Sequence, residues 1–171
     1  MCERGGTASP RGGPTLSAAR SRTHCQGLSQ GVQFAFSVRL ALLRGDPGDL
    51  PAEWANGLVN VLAGPPVAQA VVATALMVAG RHDEAWAICE SLIATPNEPT
   101  ERSLAALWYL GDLTAVLGDA SSCRLVRDRM NAAFTGVVAA VAGTVCYMGA
   151  VPRMLGQLDL VCGDFSDARL H

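Results

Sequence analysis

The sequence predicts an all-α fold: antiparallel helical hairpins stacked as a short solenoid, preceded by a disordered N-terminal head. Three observations predict it. Half of the 171 residues are apolar, with only 16% charged and 5% aromatic, a composition that can bury a core of one-domain size. Apolar residues recur at helical spacing and hardly ever alternate as in strands. Glycine followed by a polar or charged residue recurs where these periodic runs stop.

Residues 1–30 are rich in Gly, Ser, Thr, Pro and Arg, carrying Arg4, Arg11, Arg20 and Arg22 against the single acid Glu3. So polar a segment cannot bury enough apolar surface to order itself. It lacks the continuous apolar core of a secretory signal. Residues 31–171 form the helical domain, expected to be incomplete at the C-terminus. Its helices are predicted over 32–44, 52–63, 66–79, 83–94, 100–117, 120–134 and 144–162, with an eighth starting near Asp164. In 83–94, Ala85, Ile88, Cys89, Leu92 and Ile93 form one apolar stripe, and Asp83 and Glu84 suit the positive end of the helix dipole. In 120–134 the stripe is Cys123, Val126, Met130, Ala133 and Phe134, with Arg124, Arg127, Asp128 and Arg129 facing away. In 144–162 it is Met148, Val151, Leu155, Leu158 and Cys162. Trp108, with Leu104 and Gly111, reads as core; Trp54 and Trp86 read as core or inter-hairpin packing.

The predicted helix ends share one signature: Leu43-Arg44-Gly45-Asp46, Val78-Ala79-Gly80-Arg81, Val116-Leu117-Gly118-Asp119 and Val161-Cys162-Gly163-Asp164. The glycines lie 35, 38 and 45 residues apart. Glycine readily adopts the left-handed conformation that closes a helix, so Gly45, Gly80, Gly118 and Gly163 are read as repeat turns. Hairpins of this length cannot bury their apolar faces alone and must stack, as in tetratricopeptide arrays. Ala85 and Ala168 each follow a turn glycine by five residues, and Cys123 takes that place in the middle unit.

Residues 142–168 resemble a segment in the helical-repeat region of large actinobacterial LuxR-type transcriptional regulators and adenylate-cyclase-like proteins. The resemblance rests on Gly149, Arg153, Leu155-Gly156, Gly163 and Asp167-Ala168, and extends less distinctively over 32–171. It implies a tetratricopeptide-like array that follows a nucleotide-binding switch ATPase and restrains or releases it. Two features depart from the pattern. Pro152 falls where the family helix continues, and an interior proline costs about 3 kcal/mol or bends the helix. The chain has neither a G-x-x-x-x-G-K-[ST] loop nor a basic recognition helix.

No catalytic constellation emerges. His82-Asp83-Glu84 could in principle do acid/base work, but acids in a first helical turn are expected there. The six cysteines, spaced 23, 64, 34, 23 and 16 residues apart, have no zinc-ligand spacing and read as reduced, buried thiols. The expectation is therefore a cytoplasmic protein with no catalytic residue, cofactor or metal, acting as a non-enzymatic interaction or regulatory module. Its partner is a protein or the parent regulator's ATPase domain, met on a surface that includes Arg124, Arg127 and Arg129. The thirteen basic residues, all Arg, face fifteen acids for a net charge of −2, which argues against direct nucleic-acid binding. A stripe left uncovered at the C-terminal end is expected to drive self-association. The alternative is a small membrane-associated protein using residues 130–152, a stretch interrupted by Asn131, Gly136, Gly143 and Gly149.

Overall fold

The computed structural model describes residues 31–50, 54, 64–95, 101–136, 139–142 and 146–171. The expected head and most of the expected helix 52–63 lie outside these residues. The described chain is mostly helical. Helix α1 spans 31–44. It is followed by α2 (Pro66–Val78), α3 (His82–Ala94), α4 (Glu101–Leu117), α5 (Ala120–Ala133), the strands β1 (Ala139–Ala142) and β2 (Cys146–Ala150), α6 (Val151–Cys162) and the single turn α7 (Phe165–Ala168).

Most element boundaries follow from local chemistry. Pro66 opens α2, where its missing N–H is no loss. Every residue from Ala70 to Met77 is buried, so this helix is enclosed on all sides, and Thr74 satisfies its hydroxyl on the Ala70 carbonyl at 2.9 Å. Three helix ends close in the same way. The residue after the turn glycine donates to the carbonyl five residues back: Asp46 to Ala41 at 3.1 Å, Arg81 to Leu76 at 2.9 Å and Asp164 to Asp159 at 2.9 Å. Gly45, Gly80 and Gly163 have φ of 67°, 77° and 80°, the left-handed geometry this closure requires.

Gly118 departs from the expected left-handed cap. It has no positive φ and donates to the Thr114 carbonyl at 2.9 Å, in helical register. The chain turns instead on Asp119, whose carboxylate accepts from the Ser122 backbone N–H at 2.8 Å and caps α5. Glycine is still required there, because a Cβ would stand 2.6 Å from the Thr114 carbonyl oxygen.

The second correction concerns 144–162. Helix α6 begins only at Val151, and the residues before it form a strand, so the described chain is not purely helical. β1 and β2 pair antiparallel, Ala139 opposite Ala150 and Ala142 opposite Cys146, with an irregularity between Ala140 and Val141. Pro152 therefore sits in the first turn of α6, where its fixed φ suits helix initiation. The helix starts one residue before it and runs on uninterrupted to Cys162.

One apolar cluster runs from Val38 of α1 to Cys162 of α6. Helix α2 packs on both α3 and α4; α4 also packs on α3, α5, α6 and β1; α6 packs on α5, β2 and α7. Contacts thus run from α2 to α4 to α6, with α3 also against α4 and α5 against α6. The stripe expected to lie uncovered is enclosed: Met148, Val151, Leu155, Leu158 and Cys162 are all buried. The apolar side chains exposed at this end are Leu160, Val161, Phe165 and Leu170. Gly156 lets the terminal segment cross α6, its virtual Cβ lying 3.4 Å from the Ala168 carbonyl oxygen and 3.5 Å from His171 Cβ.

Candidate functional site

A cleft of about 370 Å³ opens where α1, α4 and the β2–α6 junction meet. Arg39 reaches it from α1 and forms an ion pair with Asp112 of α4 at 2.6 Å, while its other terminal nitrogen donates to the Met148 carbonyl of β2 at 2.7 Å. One guanidinium thereby ties three elements together. The two side chains are 12% and 15% exposed, dry enough for burial to matter. Burial raises the Asp112 carboxyl above the usual range, against the opposing pull of Arg39, of Arg153 and, more weakly, of the Trp108 N–H.

The apolar wall comes from Leu42, Trp108, Met148 and Met154, with Leu43 and Val116 at the mouth. Trp108 is buried and crosses Phe134 edge-on at 6.4 Å between ring centroids; its indole N–H lies near the Asp112 carboxyl without completing hydrogen-bond geometry. Gly149 makes its fit possible: φ is 147°, and a Cβ there would lie 2.7 Å from Trp108 Cζ2. Arg153 and Gln157 stand one turn apart on α6 at the same cleft, and both are exposed. No ion pair or hydrogen bond engages Arg153 among the described residues. The cleft therefore holds two guanidinium groups against one carboxyl. A concave apolar site with a few convergent polar groups and a shifted acid is the usual form of a small-molecule pocket.

The predicted arginine surface is organised differently from the expectation. Arg127 turns inward from α5 to α6, bonding Asp159 Oδ1 at 2.9 Å and Asp164 Oδ2 at 2.7 Å. Its own pKa is driven up, chiefly by these carboxylates. Asp159 is 1% exposed; its Oδ2 has no hydrogen-bond partner and lies 3.7 Å from His171 Nε2. Arg124 donates to the Cys162 carbonyl at 3.1 Å. Only Arg129 forms no ion pair or hydrogen bond among the described residues. The three arginines are mostly a brace between α5 and α6.

His82-Asp83-Glu84 lies fully exposed in the first turn of α3, where Glu84 is engaged by Arg81 at 2.6 Å. Cys89, Cys123 and Cys162 are free and buried. Desolvation pushes the first two thiols up to about 12 and about 11, and raises Cys162 as well, so little thiolate exists at neutral pH. Among the described residues no group of His, Cys, Asp or Glu is placed to hold a metal ion, and no described helix is long and apolar enough to cross a membrane. Residues 130–152 include the end of α5 and the ribbon, not one helix.

Sequence reasoning missed Arg39, Asp112 and Asp159, and singled out Arg153 only for the family resemblance. A signal was present for the two acids: Asp112 and Asp159 each interrupt an apolar run, Tyr109-Leu110-Gly111 before Leu113 and Leu158 before Leu160-Val161. A charge at a core-facing helical position demands a partner. The chain matches no family model, no curated protein and no solved structure.

Proposed function

We propose that residues 31–171 form a non-enzymatic helical-repeat module, a short tetratricopeptide-like solenoid, that contacts a protein partner in the cytoplasm. In a regulator of the LuxR type that partner is its own ATPase domain. The observation that carries the reading is the identical glycine closure at Gly45, Gly80 and Gly163, joined to the serial packing of α2, α4 and α6. A repeat array is built from such units, each resting on its neighbours. The exposed Leu160, Val161, Phe165 and Leu170 support a face at the C-terminal end that meets a further helix, a partner or a second copy.

Sedimentation velocity tests the interaction face. The chain should self-associate at tens of micromolar, and the double substitution Phe165→Ser and Leu170→Ser should return it to monomer; a monomer from the outset would remove this face from the proposal. The repeat reading has its own test. Shortening the chain after residue 136 should leave a helical circular-dichroism spectrum and a cooperative melt at lower temperature, since nearest-neighbour units survive the loss of an end. Complete loss of helix would mean a single indivisible core.

A further inference from the structure

We propose that the cleft between α1, α4 and the β2–α6 junction binds a small molecule made of an apolar body and a single carboxylate. The inference is independent of the repeat reading. The volume of about 370 Å³ falls within the usual range of small-ligand sites, roughly 300 to 1,000 Å³. Its lining combines both chemistries: Leu42, Leu43 and Val116 offer apolar surface above the buried Trp108, Met148 and Met154, and Arg39, Asp112, Arg153 and Gln157 supply polar groups.

The charge balance selects the ligand's sign. Asp112 pairs with Arg39 at 2.6 Å and feels Arg153 only through space, so the two guanidinium groups exceed the one carboxyl by a single positive charge. The N-terminus of α6 adds to the same potential, because Ala150 at its cap has no side chain to accept the first N–H groups and lines the cleft with Gly149. A cationic ligand would meet Arg153 and find Asp112 already taken. A neutral apolar ligand would leave the guanidinium unused. A carboxylate pairs with Arg153, accepts from the Gln157 amide and lays its chain along Leu42, Leu43 and Val116.

Isothermal titration with octanoate, octan-1-ol and octylammonium, which share a chain and differ in head group, tests the proposal. Octanoate should bind with Kd below about 1 mM, a modest affinity for about ten heavy atoms, and the other two at least about tenfold more weakly. Arg153→Gln should weaken octanoate about tenfold or more, as expected for losing a charge-assisted hydrogen bond. Val116→Trp, at an exposed position of the mouth, should block binding while leaving the melting temperature unchanged. Arg129→Gln, remote from the cleft, should change nothing. Equal binding of octanol and octanoate, unchanged affinity in Arg153→Gln, or no octanoate binding up to 10 mM would each overturn the proposal.

Discussion

The two ends of α6 solve one problem in opposite ways. At its N-terminal end Arg39 meets Asp112 beside the larger cleft, and at its C-terminal end Arg127 meets the more deeply buried Asp159 beside a smaller hollow of about 240 Å³. Asp112 keeps 15% of its side chain exposed, Asp159 only 1%. The number of partners differs too. Arg39 serves one carboxylate and a carbonyl, whereas Arg127 serves Asp159, Asp164 and, at 3.3 Å, Asp128. A carboxylate that keeps some exposure rehydrates or changes protonation more readily when its partner is lost than one as buried as Asp159. The first arrangement suits binding and the second suits holding two helices in place.

If that contrast is right, breaking the more deeply buried pair is the more damaging. Arg127→Met should lower stability by about 4 kcal/mol, since it strands a buried carboxylate, and adding Asp159→Leu should recover most of the loss. Urea unfolding measures both; a loss under 1 kcal/mol would show that Asp159 is solvated after all. Gly149→Ala comes next, at about 3 kcal/mol, because it combines a disfavoured φ with a clash on Trp108, and near-neutral behaviour would mean that the indole has room to shift.

Arg39→Met should cost less than Arg127→Met, about 2 kcal/mol, because water and a proton can reach Asp112. The sign of the pH dependence sharpens this point. Asp112 has its folded pKa above the unfolded value, so the folded state holds the proton more tightly. The stability this group lends is present at pH below the unfolded pKa, about 3.9, and is withdrawn as pH rises through the folded value. Wild type should therefore lose stability relative to Asp112→Asn across that window, and Arg39→Met should move the window upward. Melts at half-unit pH steps would show a flat difference if Asp112 were ordinary. The smallest effect is Gly163→Ala, about 1 kcal/mol: its φ of 80° disfavours a Cβ, yet nothing lies within 4 Å. A loss above 2 kcal/mol there would reveal a crowded turn.

Most helices were legible in the sequence because their cause is local. The stripe of Cys123, Val126 and Met130 and the stop at Gly80 depend on neighbours a few residues away, and the boundaries of α2, α3, α4 and α5 fall within a residue of expectation. What was not legible depends on distant contacts. The strand at Cys146–Ala150 exists through its pairing with Ala139–Ala142, and small apolar residues there suit a helix equally well. Gly118 shares its sequence signature with the other turns, yet Asp119 supplied a competing cap. The arginines of α5 showed helical phase but not which side faced α6, since Arg127 carries its charge far from its own backbone. The cleft was invisible for the same reason: Arg39 and Asp112 stand 73 residues apart.

The buried thiols give the molecule a built-in set of clocks. Cys89, Cys123 and Cys162 lie on α3, α5 and α6 and are enclosed, so a thiol reagent can label each only when its own helix opens. With the other cysteines replaced, three labelling rates would report three local opening equilibria. If the helices open one by one from an end, the rates will form a gradient along the chain; if the whole body opens at once, the three will coincide.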